Sequence, residues 1–392
     1  MQTFGEQTGT NHALVSGSFG QGNLGDEALL QAFLERHRAD YRSTLVLKAG
    51  SSHGAAAAEM TLPLPQLATG RRFWRGLSDR IQKRRFIQAQ TANGSREYVW
   101  LGGLLAHILP HNQARYKELK WARGLCSKFL YYFGDVGDGF AELGIARKIV
   151  RLLNRFDARI AVRSAVAAGI LEEAGLRTKV HVGLDPVLYD RIARWGIPFR
   201  RRAGATDTLA IIPCNYRPDI YQAVWLAAAR AAVRHGLRLR WVSLCDPEDL
   251  SLCIRLAEQV RAEHPNHQQE ICGGAFAEEA LSRASCCVAT RYHGAIFALS
   301  QGVPTLAVPY THKVRRLFHL LRMQDWLVEP GRSRPFEGDL GDKIRGLLAG
   351  HGRPDYGVLR QQAEMHKRAL VSLGASSPES IPTTETPVAA AG

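Results

Sequence analysis

The chain has 392 residues, 45% of them hydrophobic, and a formal net charge of +15. That length and apolar content suit two domains, each with its own core, and exclude a single small module. No stretch approaches the roughly 20 uninterrupted apolar residues of a membrane span. The N-terminal MQTFGEQTGTNH lacks a basic region followed by an apolar one, so a cytoplasmic protein is expected.

The seven cysteines include no C-x-x-C pair and read as reduced thiols, with Cys286 and Cys287 as small apolar strand residues. Neither a disulfide framework nor a zinc site is expected. His107 and His111 have the i,i+4 spacing of a helical metal pair, but Pro110 would break the helix that must present them. Positive charge concentrates in Arg71, Arg72, Arg75, Arg80, Lys83, Arg84 and Arg85, and again in Arg200, Arg201 and Arg202. Such clusters attract phosphorylated substrates, acidic glycans, anionic lipid head groups or nucleic acid. The plain alternative is a solvated basic face. Phe73 and Trp74 favour a peripheral contact of Arg71 to Arg85 with an anionic membrane at its inner face. Neither cluster carries interleaved aromatic platforms, so no nucleic-acid partner is expected.

In chain order, residues 12–16 read as a strand, followed by a glycine loop and a helix with Ala28, Leu29, Ala32 and Phe33 on one face. Strands are predicted at 44–48, at 98–101 before Gly102 and Gly103, at 131–134 and at 160–163, with helical periodicity over 141–155. The Gly-, Pro- and Arg-rich residues 196–207 read as a linker. Beyond it, strands are predicted at 208–213, 237–243, 286–289 and 305–308, and helices at 219–235, 248–263, 277–284, 294–301 and 313–322. Strands alternating with helices imply parallel sheets covered on both faces. The fold class is therefore α/β: two Rossmann-like doubly wound domains over 1–195 and 208–345, with a helical segment at 346–374. The Ser-, Thr-, Pro- and Ala-rich tail, 375–392, is expected to be disordered.

The loop SGSFGQGNLGDEALLQAFL contains Gly20-x-Gly22-x-x-Gly25, formally a dinucleotide-binding spacing. Two local facts oppose that use. The helix start that would carry a pyrophosphate carries Asp26 and Glu27, and the strand end that should offer a ribose-binding acid offers Lys48. Two readings remain. In one, Asp26 caps the helix and the glycines permit a tight turn. In the other, Asn23, Asp26 and Glu27 line a cleft at the C-terminal ends of parallel strands and suit a hydroxyl-rich ligand such as a sugar.

A second cluster lies in ATRYHGAIFALSQGVPTLAVPYTHKVRR. A buried strand ends at Arg291 and a helix begins almost at once, so a guanidinium, the His293 imidazole and backbone amides converge at one strand end. Lys313 opens the next helix against the dipole, which an anion would explain. The plain alternative is a lone histidine and a surface lysine in a basic protein.

The motif Gly22-Asn23-Leu24-Gly25-Asp26-Glu27, together with RYHGAIFALSQGVPTLAVPYTHK, IAVRSAVAAGILEEAGL and VGLDPVLY, resembles the polysaccharide pyruvyl transferase family over residues 12–325. The resemblance implies a fold like the GT-B glycosyltransferases, with a cleft between an N-terminal acceptor domain and a C-terminal donor domain. It implies transfer of pyruvate from phosphoenolpyruvate to a sugar of a polysaccharide or its lipid-diphosphate-linked precursor, forming a cyclic ketal without a cofactor. Arg163, Arg291, His293 and Lys313 then take the donor-binding positions, with His293, Arg163 and Asp26 catalytic. Asn23, Asp26, Glu27, Gly102 and Gly103 then face the acceptor. Imidazole ordinarily titrates near neutrality, which suits His293 as the acid that protonates the methylene carbon. Asp26 or Glu27 would accept the hydroxyl proton. The chain departs from the family pattern in WLGGLLAHI, which has a short glycine run, and at Ser164, where Asp is common. The alternative enzyme is a GT-B glycosyltransferase using a nucleotide sugar; an inactive glycan- or membrane-binding relative is the non-enzymatic alternative.

Overall fold

The computed structural model describes residues 11–17, 19, 22–37, 40–48, 60–63, 95–102, 104–105, 109–195, 207–246, 248–329 and 336–375. The basic stretch Arg71 to Arg85, Arg200 to Arg202, Gly103, His107, residues 196–206 of the expected linker and the tail from 376 lie outside the described residues. The described residues form two compact units: one within 1–21, 26–186 and 365–378, the other within 22–25 and 187–364.

The first unit holds β1 (Asn11–Ser16), most of α1 (Leu24–His37), β2 (Tyr41–Lys48), β3 (Met60–Pro63), β4 (Ser95–Leu101), β5 (Leu104–Leu105) and α2 (Leu109–Arg123). It continues through β6 (Lys128–Val136), α3 (Gly144–Leu153), β7 (Asp157–Val162), α4 (Ala165–Glu173) and β8 (Val180–Val182). The sheet order is β3-β2-β1-β4-β6-β7-β8, with β5 beside β6 and every pairing parallel. Strands covered on both faces need unbroken apolar runs, and Ala13, Leu14, Val15, Val99, Leu130 and Ile160 are all buried. Trp100 and Tyr131 stack in the core with centroids 5.1 Å apart.

Helix starts follow local chemistry. The Asn23 side chain accepts from the Gly25 N–H at 3.1 Å, so Asn23, not Asp26, occupies the capping position of α1. Asp26 and Glu27 lie in the first turn and Arg36 and His37 in the last, matching the helix dipole. Ser164 caps α4 by accepting from the Ala167 N–H at 3.1 Å. Pro110 is the second residue of α2, where a missing N–H costs nothing, so it opens that helix instead of breaking it.

The second unit holds α5 (Pro186–Trp195) from its second residue on, then β9 (Thr208–Ile212), α6 (Pro218–Arg234), β10 (Arg238–Val242), α7 (Glu248–Glu263) and β11 (Gln269–Cys272). It continues with α8 (Ala277–Ser282), β12 (Cys286–Ala289), α9 (Tyr292–Ser300), β13 (Thr305–Ala307), α10 (His312–Leu320) and α11 (Phe336–Leu348). Last comes α12 (Tyr356–Ser372), whose residues from Met365 belong to the first unit. The sheet order is β11-β10-β9-β12-β13, again parallel throughout. Trp225, Trp241, Leu209 and Ile211 anchor the core, and Cys286 and Cys287 are buried in β12 as expected.

Both units are thus parallel-sheet, Rossmann-like α/β layers, as the alternation predicts. The segment VGLDPVLY ends β8, turns at Asp185 and enters α5 at Pro186. Chain order reverses between β1 and β4 in one sheet and between β9 and β12 in the other, and parallel sheets place ligands beyond strand ends at such switch points.

Candidate functional site

In the first unit, Arg163 directly follows β7, and its backbone N–H donates to the Gly134 carbonyl at 3.1 Å. Its side chain is buried, with Nε 3.0 Å from Oδ2 of the buried Asp185. Gly102 ends β4 at φ +58, and a Cβ there would lie 2.6 Å from Cδ2 of Leu29 and 3.3 Å from Nη2 of Arg163. Glycine therefore permits both the left-handed turn and the approach of the guanidinium. At the end of β1, buried Ser16 donates to Glu118 of α2. The same carboxylate accepts from Tyr98 and, at 2.8 Å, from Arg115. Asp26 and Glu27 stand partly exposed in the first turn of α1.

The second unit includes Gly22 to Gly25. The Leu24 N–H donates to the Leu244 carbonyl at 3.0 Å, the Asp246 N–H donates to the Gly22 carbonyl at 3.3 Å, and Asn23 bridges Cys245. At Gly22, φ +75, a Cβ would lie 2.5 Å from the Asp246 carbonyl oxygen, and at Gly25 a Cβ would lie 2.0 Å from Nδ1 of His293. Gly22 and Gly25 thus permit close packing, the first on backbone just after β10 and the second against the imidazole; Gly20 lies outside the described residues.

His293 is the second residue of α9, edge-on to Tyr292 with centroids 5.2 Å apart. Arg291 stands at the N-cap position of the same helix in extended conformation. Its Nε donates to Oδ2 of Asp249 at 2.7 Å and its Nη2 to Oδ1 at 2.6 Å, while Oδ1 also accepts from the Asn215 N–H at 3.0 Å. Asp249 is fully buried. Burial alone would lower the ionisation of Arg291, but the hydrogen bonds and charge of Asp249 outweigh it and hold the guanidinium well above its ordinary pKa. Burial pushes the neighbouring Cys214 thiol up to about 11, so it is not a ready nucleophile. Lys313 is the second residue of α10, after β13.

The predicted donor residues therefore divide. Arg163 meets Gly102 in the first unit; Arg291, His293 and Lys313 stand at the starts of α9 and α10 in the second, where N–H groups favour anions. Gly103 lies outside the described residues. The sequence reading gave no role to Asp249 or Asp185, the buried partners of the two arginines. Asp249 had one signal, an acid in the first turn of a helix following a strand. Among the described residues, no group of three or more His, Cys, Asp or Glu could hold a metal ion. No helix among them is long and apolar enough to cross a membrane.

Residues 133–312 match the family model for polysaccharide pyruvyl transferase. No curated protein matches the chain by sequence. Among solved structures, HepE of Anabaena in complex with UDP and glucose is similar at 12% identity and TM-score 0.59, covering 93% of this chain and 99% of that one. The UDP-GlcNAc 2-epimerase of Methanocaldococcus jannaschii is similar at 8% identity and TM-score 0.55, covering 93% and 100%. The lipopolysaccharide outer core galactosyltransferase WaaB is similar at 10% identity and TM-score 0.51, covering 93% and 99%. The chain shares the GT-B fold of these glycosyltransferases and epimerases.

Proposed function

We propose that the protein is a transferase of polysaccharide biosynthesis that moves pyruvate from phosphoenolpyruvate to two hydroxyls of a sugar, forming a ketal and releasing phosphate. The observation that carries this reading is that the family match over 133–312 takes in Arg163, Arg291 and His293 and stops one residue before Lys313.

The chemistry suits these groups. His293 gives a proton to the methylene carbon, making a cationic centre at the adjacent carbon that the first sugar hydroxyl attacks. The carbon–oxygen bond to phosphate then breaks, and the second hydroxyl attacks the same carbon. Of the two hydroxyl protons, one replaces that spent by His293 and the other leaves with phosphate. Asp26 and Glu27 are the candidates for receiving them. For the phosphate and carboxylate, Arg291, Lys313 and the amides of α9 and α10 in the second unit, and Arg163 in the first, are the donor-binding candidates. A lipid-diphosphate-linked acceptor and a peripheral membrane contact through Arg71 to Arg85 fit the charge of +15.

A second reading follows from HepE, which was solved with UDP-glucose: the same fold could take a nucleotide-sugar donor here. The two are separated by incubating the protein with phosphoenolpyruvate or nucleotide sugars, with lipid-linked and nucleotide-linked acceptors, and reading phosphate release and product mass. A product heavier by one pyruvate ketal, lost in His293→Ala, supports the first reading. Glycosyl transfer, or stabilisation by a nucleotide sugar alone, replaces it with the second.

A further inference from the structure

The C-terminal helix α12 returns to the first unit carrying a fully buried histidine, His366. Its Nδ1 lies 3.0 Å from the Leu184 carbonyl, which can only accept, so Nδ1 bears the proton. The ring stacks on Phe133 with centroids 4.1 Å apart and planes 20° from parallel. Phe133 has φ +46, a left-handed conformation that an aromatic residue keeps only where its surroundings impose it. Gly183 lies against both rings: a Cβ there would be 2.7 Å from Cε1 of Phe133 and 2.9 Å from Nδ1 of His366. There is no room for a methyl group.

Both segments that touch His366 also hold Arg163. Leu184 is followed by Asp185, whose carboxylate pairs with the guanidinium. Phe133 is followed by Gly134, whose carbonyl accepts the Arg163 backbone N–H. Burial pushes the His366 pKa down to about 3, so the ring stays a neutral single donor at any ordinary pH.

We infer that His366 is a positioning residue for Arg163: by fixing the Gly183 to Asp185 turn and the Phe133 backbone, it sets the direction in which the guanidinium meets its ligand. This rests on the reading of Arg163 as a donor-binding group. Direct contact between His366 and the ligand forms no part of it.

The test uses the full chain. His366→Phe keeps the stack and removes the donor; His366→Asn keeps a donor at the Nδ1 position and gives up the stack. The KM for phosphoenolpyruvate should rise on the order of tenfold in His366→Phe, as expected for one buried hydrogen bond. The kcat should stay within about threefold, and His366→Asn should recover most of the loss. Asp185→Asn should raise KM similarly, and the double variant His366→Phe/Asp185→Asn should fall short of the product of the two factors, because both act through one chain of contacts. Hydrogen exchange of the amides at 183–185 should speed up in His366→Phe and not in His366→Asn, an outcome read without any substrate. Equal behaviour of the two single variants, multiplicative factors in the double variant, or a lowered melting temperature with unchanged KM would each overturn the inference. If His366→Phe does not fold, His366→Leu, which has no donor, takes its place under the same criteria. If the wild-type protein does not turn over phosphoenolpyruvate, the functional reading fails and the exchange comparison still decides the positioning role.

Discussion

Deleting the Asp249 carboxylate is the sharpest test of how Arg291 is held. Asp249 is fully buried, and the Arg291 side chain is 16% exposed. Truncating one partner of a buried ion pair costs ~3–5 kcal/mol because the other charge stays behind in a poorly solvating place. The residual exposure of Arg291 lets water reach part of that charge and favours the lower end. The Asn215 N–H also loses its acceptor, which adds about 1 kcal/mol. Asp249→Ala should therefore destabilise the second unit by about 3–4 kcal/mol, and Asp249→Asn, which keeps an acceptor, by about 2 kcal/mol. The paired replacement Asp249→Leu/Arg291→Met should return to within about 1 kcal/mol of the parent, since no charge is left unpaired. Two units need not unfold together, so a single global transition is not a safe measure. Hydrogen exchange of peptides from β9, β10 and β12 in graded urea reads the second unit alone. A loss below about 1 kcal/mol in Asp249→Ala, or a double variant as costly as the summed singles, would refute the view that this pair is electrostatically coupled.

Gly25→Ala places a methyl where the His293 ring now lies, so the imidazole must move; phosphate release should fall at least about tenfold with a stability loss of ~1–3 kcal/mol, and unchanged turnover would show that His293 need not sit there. At Gly102, alanine meets both a left-handed φ and the Leu29 side chain, and should cost ~1–3 kcal/mol in the melting of the first unit, against no change if the turn relaxes freely. Acid should destabilise the first unit through His366. Its ordinary pKa of 6.5 falls to about 3 in the folded state, so between these values the unfolded chain binds the extra proton and stability rises with pH. The contribution is fully present above pH 6.5 and is lost as pH falls towards 3, a span worth several kcal/mol. Buried His37 is shifted in the same direction. Melting temperatures from pH 7 to 4 should drop less steeply in His366→Phe than in the parent; identical slopes would remove His366 from the acid limb.

Element types were legible where a strand or helix buries a regular face. Runs such as Ala13-Leu14-Val15 and Cys286-Cys287-Val288-Ala289 carry strand identity in their composition because both sheet faces are covered. The short edge strands β8 and β11 were not legible, since their half-exposed residues form no apolar run, whereas the equally short β12 and β13 are buried throughout. Pro110 misled the reading in a specific way: inside a helix proline breaks it, at its start it does not, and only the position of the first turn tells the two apart. The positions of Arg163, Arg291, His293 and Lys313 at strand ends and helix starts followed from local pattern. Their partners did not. Asp185 lies 22 residues from Arg163 and Asp249 lies 42 from Arg291, so each pairing depends on which strands neighbour each other. The glycine loop shows the same limit, because its spacing states that backbone must come close to something and only the fold states that the something is Asp246 and His293.

The two units repeat one device. Arg163 follows β7 and precedes the cap of α4; Arg291 follows β12 by two residues and stands at the N-cap position of α9. Each is held through Nε by an aspartate that is itself buried and that lies at a helix start, Asp185 just before α5 and Asp249 as the second residue of α7. Each pair is close to neutral as a whole, so a formal charge of +15 over the chain does not by itself describe what a small anion meets at these strand ends. What the aspartate contributes is direction. A free arginine side chain loses up to about 2 kcal/mol of rotamer entropy when a ligand immobilises it, and one already fixed through Nε has lost most of that on folding. The bidentate pair at Asp249 uses Nε and Nη2 and leaves Nη1 outside it, so the remaining donors are offered on one edge of a rigid plane. Lysine at Arg291 would keep the charge and lose that edge, so the pairing with Asp249 asks for a guanidinium and not for a positive charge in general.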